Sequence, residues 1–253
     1  MTRPRTPAEH GNAGGSGLHF SRLRVSRRAF ALDVADLDLP AGMTVLAGPN
    51  GAGKTTMLLA LAGRIAAQEK EASLNGTPVS DLRIGLMPQS PDLPRDLTPF
   101  ELLAQIAWLE GSGRREAQSQ AESTLETLDL AQHADTRITQ LSGGMRRRLA
   151  FGACLAVKPD VALLDEPTND LDPHQRSRLL ADVSHLAADR PVVVSSHALR
   201  DVASIADTII VLDSGRVLHS GSVPAFIERY APSSGDPEDA YTACIDSHAG
   251  TTA

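Results

Sequence analysis

The chain has 253 residues, 42% of them hydrophobic, enough to bury one large core or a core with an inserted lobe. A net charge of −7 and a pI near 5.6 offer no basic field for nucleic acid. No apolar run reaches the roughly 18 residues that cross a bilayer, and two distant cysteines, Cys154 and Cys244, argue against a disulfide framework and for a reducing cytosol.

In chain order, residues 1–17 are rich in Pro, Gly and Thr, carry no charged-then-apolar leader pattern, and are expected to be disordered. Residues 43–47 read as a strand. It runs into Gly48-Pro49-Asn50-Gly51-Ala52-Gly53-Lys54-Thr55, which fits G-x-x-x-x-G-K-[ST], with Thr56 next to it. The chemistry explains the pattern. Glycines let the backbone curl so that several N–H groups point at phosphate oxygens. A helix over 54–66 adds its positive end. Lys54 neutralises the β- and γ-phosphates, and the Thr55 hydroxyl can ligate Mg²⁺.

Ile84–Met87 reads as a short strand, followed by Pro88 and Gln89. From 94 to 140 the pattern is helical, with helices over Pro99–Leu109 and 114–128, so an inserted helical lobe is expected over about 90–158. Ser142 can cap a helix over 144–157, in which Cys154 reads as a buried small hydrophobe. Arg146-Arg147-Arg148 reads as a solvated helix face rather than a nucleic-acid patch.

Residues 161–164 form an apolar run ending in Asp165-Glu166. A strand parallel to the phosphate-loop strand would deliver Asp165 beside the Mg²⁺, which it would hold through water. Glu166 could then polarise an attacking water. Further on come a helix over 173–188 with Pro at its first turn, a strand over 192–195 and a short helix over 199–205. Strands over 208–212 and 216–220 flank a hairpin turn at Asp213-Ser214-Gly215. Residues 231–253 read as a polar C-terminal tail. Short apolar strands alternating with helices indicate an α/β fold with a mixed or parallel sheet core.

Between the phosphate loop and the acidic strand lies Leu141-Ser142-Gly143-Gly144-Met145. With it, the chain resembles the ATP-binding cassette (ABC) ATPases over 18–230. In order it carries the phosphate loop, Gln89 after a strand, a helical insertion, the Ser-Gly-Gly signature, the acidic strand, Leu171-Asp172 and His197. The resemblance implies a P-loop nucleotide hydrolase fold with an inserted helical subdomain. It implies ATP and Mg²⁺ as ligands and hydrolysis of the γ-phosphate bond. It makes Gln89 a hinge that touches Mg²⁺ or water, and His197 a contact to the γ-phosphate. Ser142, Gly143 and Gly144 would grip ATP held by a second copy or a related chain, packed head to tail, with Asp172 in the seam. The partner implied is a membrane-spanning transporter subunit, with this chain cytoplasmic and peripheral on the inner face of the membrane. The rival is a soluble mechanochemical ATPase of the same family; a small P-loop kinase or a non-hydrolysing binder would not need both the signature and Glu166.

Two departures from the family pattern stand out. The family usually places an aromatic residue roughly 23 positions before the first loop glycine, stacked on adenine. Here that stretch is Arg24-Val25-Ser26-Arg27, flanked by Phe20 and Phe30, which leaves Phe30, an aliphatic or an arginine side chain to meet the base. Met145 stands where many members have Gln, and Met145 through Leu149 resembles the subgroup that exports drugs, antibiotics or lipids.

Overall fold

The computed structural model describes residues 17–27 and 30–249. Residues 1–16, part of the segment expected to be disordered, lie outside the described residues, and Gly17 opens the first strand.

The first half runs β1 (Gly17–Arg27), β2 (Phe30–Pro40), β3 (Gly42–Ala47), α1 (Lys54–Leu61), β4 (Glu69–Leu74), β5 (Thr77–Pro78), β6 (Ile84–Met87), α2 (Pro99–Leu109) and α3 (Arg114–Thr127). The second runs α4 (Gly143–Ala156), β7 (Val161–Asp165), α5 (Pro173–Ala187), β8 (Pro191–Ser195), α6 (Leu199–Ala203), β9 (Thr208–Asp213), β10 (Arg216–Ser222), α7 (Val223–Tyr230) and α8 (Pro237–Ala249). Two sheets result. One has order β2-β1-β4-β5 and is antiparallel; the other has order β10-β9-β3-β8-β7-β6 and is parallel except where β10 returns beside β9. Helices α2 to α4 enter the chain between adjacent strands β6 and β7. The fold is therefore α/β with a mixed sheet and a helical insertion.

The parallel strands are covered on both faces, which is why they read as continuous apolar runs. Leu46, Val161, Leu163, Val193 and Ile210 point toward α1 and the antiparallel sheet. Val45, Ala162, Leu164, Val192, Val194 and Ile209 point the other way, toward α2 to α5 and the C-terminal helices. Such two-sided burial holds the carboxyl ends of β3, β7 and β8 rigidly side by side.

Helix α1 stops at Leu61, not at 66. Gly63 takes a left-handed conformation with φ 68 just beyond the cap residue Ala62, and the N–H groups of Gly63 and Arg64 turn back to the carbonyls of Ala60 and Leu59. The apolar spacing continues to Ile65, but the backbone does not follow it.

Two further regions differ from the sequence reading. The antiparallel sheet has an alternating pattern, with Leu18, Phe20, Leu23 and Val25 paired across to Leu39, Leu37, Val34 and Leu32. The period slips at Ser21 and Asp36, so it never runs long enough to read cleanly as a strand. The residues after Tyr230, polar in composition, form α8. Ala240 and Cys244 are fully buried on it, beside Tyr230, Tyr241 and Ile245 of the larger core. Asp236 starts this helix by accepting the N–H groups of Glu238 and Asp239, and Arg200 holds Asp236 at 2.9 Å. Cys154 is buried as expected, and burial pushes its thiol up to about 12. Among the described residues no helix is long and apolar enough to cross a membrane.

Candidate functional site

The phosphate-loop segment leaves the end of β3 and turns into α1 at Gly53, whose φ is 110. A Cβ there would come within 2.7 Å of Phe30 Cζ, so the phenyl ring is packed directly on the loop. The loop is closed by Ala52 N–H donating to Pro49 O, and the β9–β10 turn braces it through Gly215 N–H to Ala52 O. Lys54 is buried. Its ammonium donates to Gly48 O at 2.5 Å and Pro49 O at 3.3 Å. Burial lowers its pKa, and the nearby Glu166 and Asp165 oppose that shift.

The two carboxylates arrive where the strand pairing puts them. β7 and β8 are neighbours with Asp165 opposite Ser195. The Ser195 hydroxyl donates to Asp165 Oδ1 at 2.5 Å, and the Thr55 hydroxyl donates to Oδ2 at 2.7 Å. Glu166 is buried and has φ 48, a left-handed conformation that costs a non-glycine residue on the order of 1–3 kcal/mol. Its N–H donates to the Ser195 hydroxyl at 2.8 Å, and its Oε2 lies 2.8 Å from His197 Nδ1. Gln89 follows β6 and reaches the same space. One cavity of about 470 Å³ is lined by residues 49–56, Gln89, Asp165 and Glu166, with Arg27 and Phe30 at its rim. That volume suits a small-molecule ligand. Of the alternatives for meeting a base, an aromatic ring and an arginine both stand at this cavity.

The signature residues do not line it. Ser142 caps α4, accepting the Met145 N–H at 3.2 Å, and is exposed. Gly143 is exposed with open space around it, whereas Gly144 lies against the Gln175 side chain. Asp172 caps α5 by accepting the Gln175 N–H at 2.9 Å and is exposed. Ser142, Gly143 and Asp172 thus face solvent at the starts of two helices.

The arginine run is not a solvated face. Arg146 is exposed, but its guanidinium donates to Leu141 O. Arg148 donates to Leu128 O, with its side chain only 11% exposed. Arg147 is buried and donates to Glu166 O at 2.7 Å and Gln89 O at 3.2 Å. Burial lowers its pKa, countered by Asp170 and Glu166; a guanidinium keeps its charge regardless. α4 packs against α2, α3 and β6, so Arg147 and Arg148 turn inward between lobe and sheet while Arg146 stays at the surface. Ser195 was also not legible as a site residue; the one hint is a hydroxyl closing a run of three valines.

Comparison with known proteins gives a consistent picture. The family profile described as "ABC transporter" matches residues 32–169, more than half of the chain. A daunorubicin resistance ATP-binding protein, DrrA3, from Streptomyces coeruleorubidus is 37% identical over 201 residues, covering 76% of this chain and 63% of the relative. A Nod factor export ATP-binding protein I from Burkholderia orbicola is 35% identical over 190 residues, covering 72% and 62%. The chain thus spans less than two thirds of the length of these relatives. A solved structure described as an ATP binding subunit of an ABC transporter superposes with a TM-score of 0.79 at 22% identity, covering 91% of this chain and all of the other.

Proposed function

The chain belongs to the ABC transporter family, and on that premise we propose that it binds ATP with Mg²⁺, hydrolyses it, and drives export through a separate membrane-spanning subunit, working as a head-to-tail pair. The observation that carries the reading is the sharing of one cavity by the phosphate loop and the two strand-end carboxylates, while Ser142 and Gly143 stand outside it. The export direction and the membrane partner rest on the relatives named for Nod factor export and daunorubicin resistance.

The residues fit the task in order. Lys54 and the N–H groups at the start of α1 form the cationic wall for a triphosphate. Thr55 and Asp165 supply two hard oxygen donors 2.7 Å apart, a set suited to Mg²⁺, which takes one or two protein ligands and fills the rest with phosphate and water oxygens. Bound there, Mg²⁺ offsets the negative charge of the phosphates during transfer. Ser195 holds Asp165 in place, and Gln89 lines the same cavity. Glu166 orients the water and accepts its proton, with its carboxylate aimed by His197, which also steadies charge at the γ-phosphate. Phe30 and Arg27 hold the adenine ring at the rim. In a pair, Ser142, Gly143 and Gly144 of one copy grip the triphosphate bound to the other, with Asp172 along the seam; Gln175 shifts off Gly144 as they do.

Phosphate release from ATP by the purified full chain, dependent on Mg²⁺ and on no acceptor, is the expected result. A chain that needs an acceptor substrate, or that binds ATP without releasing phosphate, overturns the assignment. Purification of the tagged chain from membranes is expected to bring a multi-spanning subunit with it; recovery only with ribosomes or DNA overturns the transport half.

A further inference from the structure

We propose that Arg147 is a positioning residue that locks the catalytic glutamate and the glutamine hinge to the signature helix. The proposal rests on the ATPase reading above. Arg147 sits on the second turn of α4, five residues after Ser142, about 7.5 Å along a rigid helix. Its side chain is 10% exposed and spans two loops of its own chain. One amino group donates to Glu166 O at 2.7 Å; the other donates to Gln89 O at 3.2 Å and lies 3.7 Å from Asp170 Oδ2. Asp170 is 93% exposed, so water screens that ion pair and the two carbonyl contacts carry the role.

The contact to Glu166 is the decisive one. This residue has φ 48, a conformation that persists only where its surroundings over-determine it. Its peptide groups are held on both sides: the N–H by Ser195, and the carbonyl by Arg147 together with the Asn169 N–H at 3.3 Å. Those two clamps set the direction of the Cα–Cβ bond and so the aim of the carboxylate. Ser195 belongs to the sheet and is fixed. Arg147 belongs to the helix whose first residues meet the nucleotide of the other copy. A shift of α4 as the signature closes on that nucleotide is therefore felt at Glu166 and Gln89 of the same chain. One planar, multi-donor group does this; lysine, a single point charge, reaches one carbonyl at a time.

The test compares full-length wild type with Arg147→Met and Arg147→Lys. Arg147→Met is expected to lower kcat for ATP on the order of a hundredfold, as for a misplaced catalytic group, with KM within about threefold. Arg147→Lys is expected to recover part of the loss. Unchanged kcat in Arg147→Met overturns the proposal, and so does a rise in KM that accounts for the whole loss. If Arg147→Met does not fold, Arg147→Lys decides alone: wild-type kcat overturns the proposal, and reduced kcat at constant KM upholds it. Hydrogen exchange of the nucleotide-free chain reads the contact without turnover. Peptides covering Gln89 and 165–171 are expected to exchange about tenfold faster in the variants, the signature of local opening; unchanged exchange overturns the proposal. A wild-type chain that releases no phosphate sinks the ATPase reading and the catalytic half of this one, and exchange still decides whether Arg147 ties the loops together.

Discussion

The carboxyl ends of β3, β7 and β8 and the amino end of α4, the two places proposed to meet phosphate, are finished to different degrees. At the strand ends every charged group already has a partner. Lys54 holds loop carbonyls, Asp165 holds two hydroxyls, and Glu166 holds His197. At the start of α4, Ser142 and Gly143 are exposed, and the serine hydroxyl accepts the capping bond from Met145 N–H. The first region is a machine whose parts are set before a ligand arrives. The second has its anion-binding end turned outward, and in the proposed assembly a neighbour's nucleotide completes it. On the proposed reading one end binds and cleaves the chain's own nucleotide and the other grips its neighbour's, so substitutions at the two ends should fail in different ways.

The largest effect is expected at Glu166. Glu166→Gln keeps the shape and removes the base, so turnover should fall about 10³-fold or more while ATP affinity is kept and an ATP-dependent dimer accumulates. Steady-state phosphate release and size-exclusion chromatography with ATP read the two halves. Wild-type turnover in this variant would take Glu166 out of its role.

Gly143→Asp is the matching change at the open end. It places a carboxylate where phosphate is proposed to dock, in a position with no neighbouring atoms to disturb. The thermal midpoint and the ATP affinity of the single chain should stay close to wild type. Turnover should drop about 10²-fold, and the Glu166→Gln dimer should no longer form in the double variant. A dimer that persists would mean the two regions serve separate ligands. Lys54→Ala has the next largest effect, and on binding first: calorimetry should show ATP affinity lower by roughly 10-fold to 100-fold. Unchanged affinity would move the phosphates elsewhere.

The two regions were also unequally legible. The loop stands out because phosphate chemistry fixes residue types at consecutive positions, as in Gly48 to Thr55, whereas Ser142 to Gly144 alone read as an ordinary helix cap and are marked as a site by the family resemblance. Asp165 and Glu166 could be read because an apolar strand ends in two acids. Arg147 and Ser195 could not, because their roles depend on which segments become neighbours. Arg147 meets a carbonyl 19 residues away, and Ser195 meets a carboxylate 30 residues away. From sequence, three adjacent arginines look like solvent-facing charge; only the packing of α4 between lobe and sheet turns Arg147 and Arg148 inward. The same limit hid the first sheet, where slips at Ser21 and Asp36 interrupt the alternation. It also hid α8, where a few apolar positions such as Ala240, Cys244 and Ile245 do the packing in a polar sequence.

The smallest effect is expected at the rim, where the family's usual aromatic position is vacant and Phe30 is the proposed substitute. Stacking of a base on an aromatic side chain is worth about 1–3 kcal/mol, so Phe30→Ala should weaken ATP by roughly fivefold to a hundredfold. That alone does not separate two roles, because the same ring packs on Gly53 and a smaller side chain would also loosen the phosphate loop. Inorganic triphosphate separates them, since it has the phosphates and no base. If Phe30 holds adenine, ATP affinity falls in Phe30→Ala while triphosphate affinity barely moves, and Phe30→Trp restores ATP binding. If both ligands weaken equally, the ring is a brace for the loop, and Arg27, its cross-strand partner, is left as the group that meets the base. In either case the loss should fall on binding, with turnover at saturating ATP little changed, because neither residue touches Glu166 or its clamps.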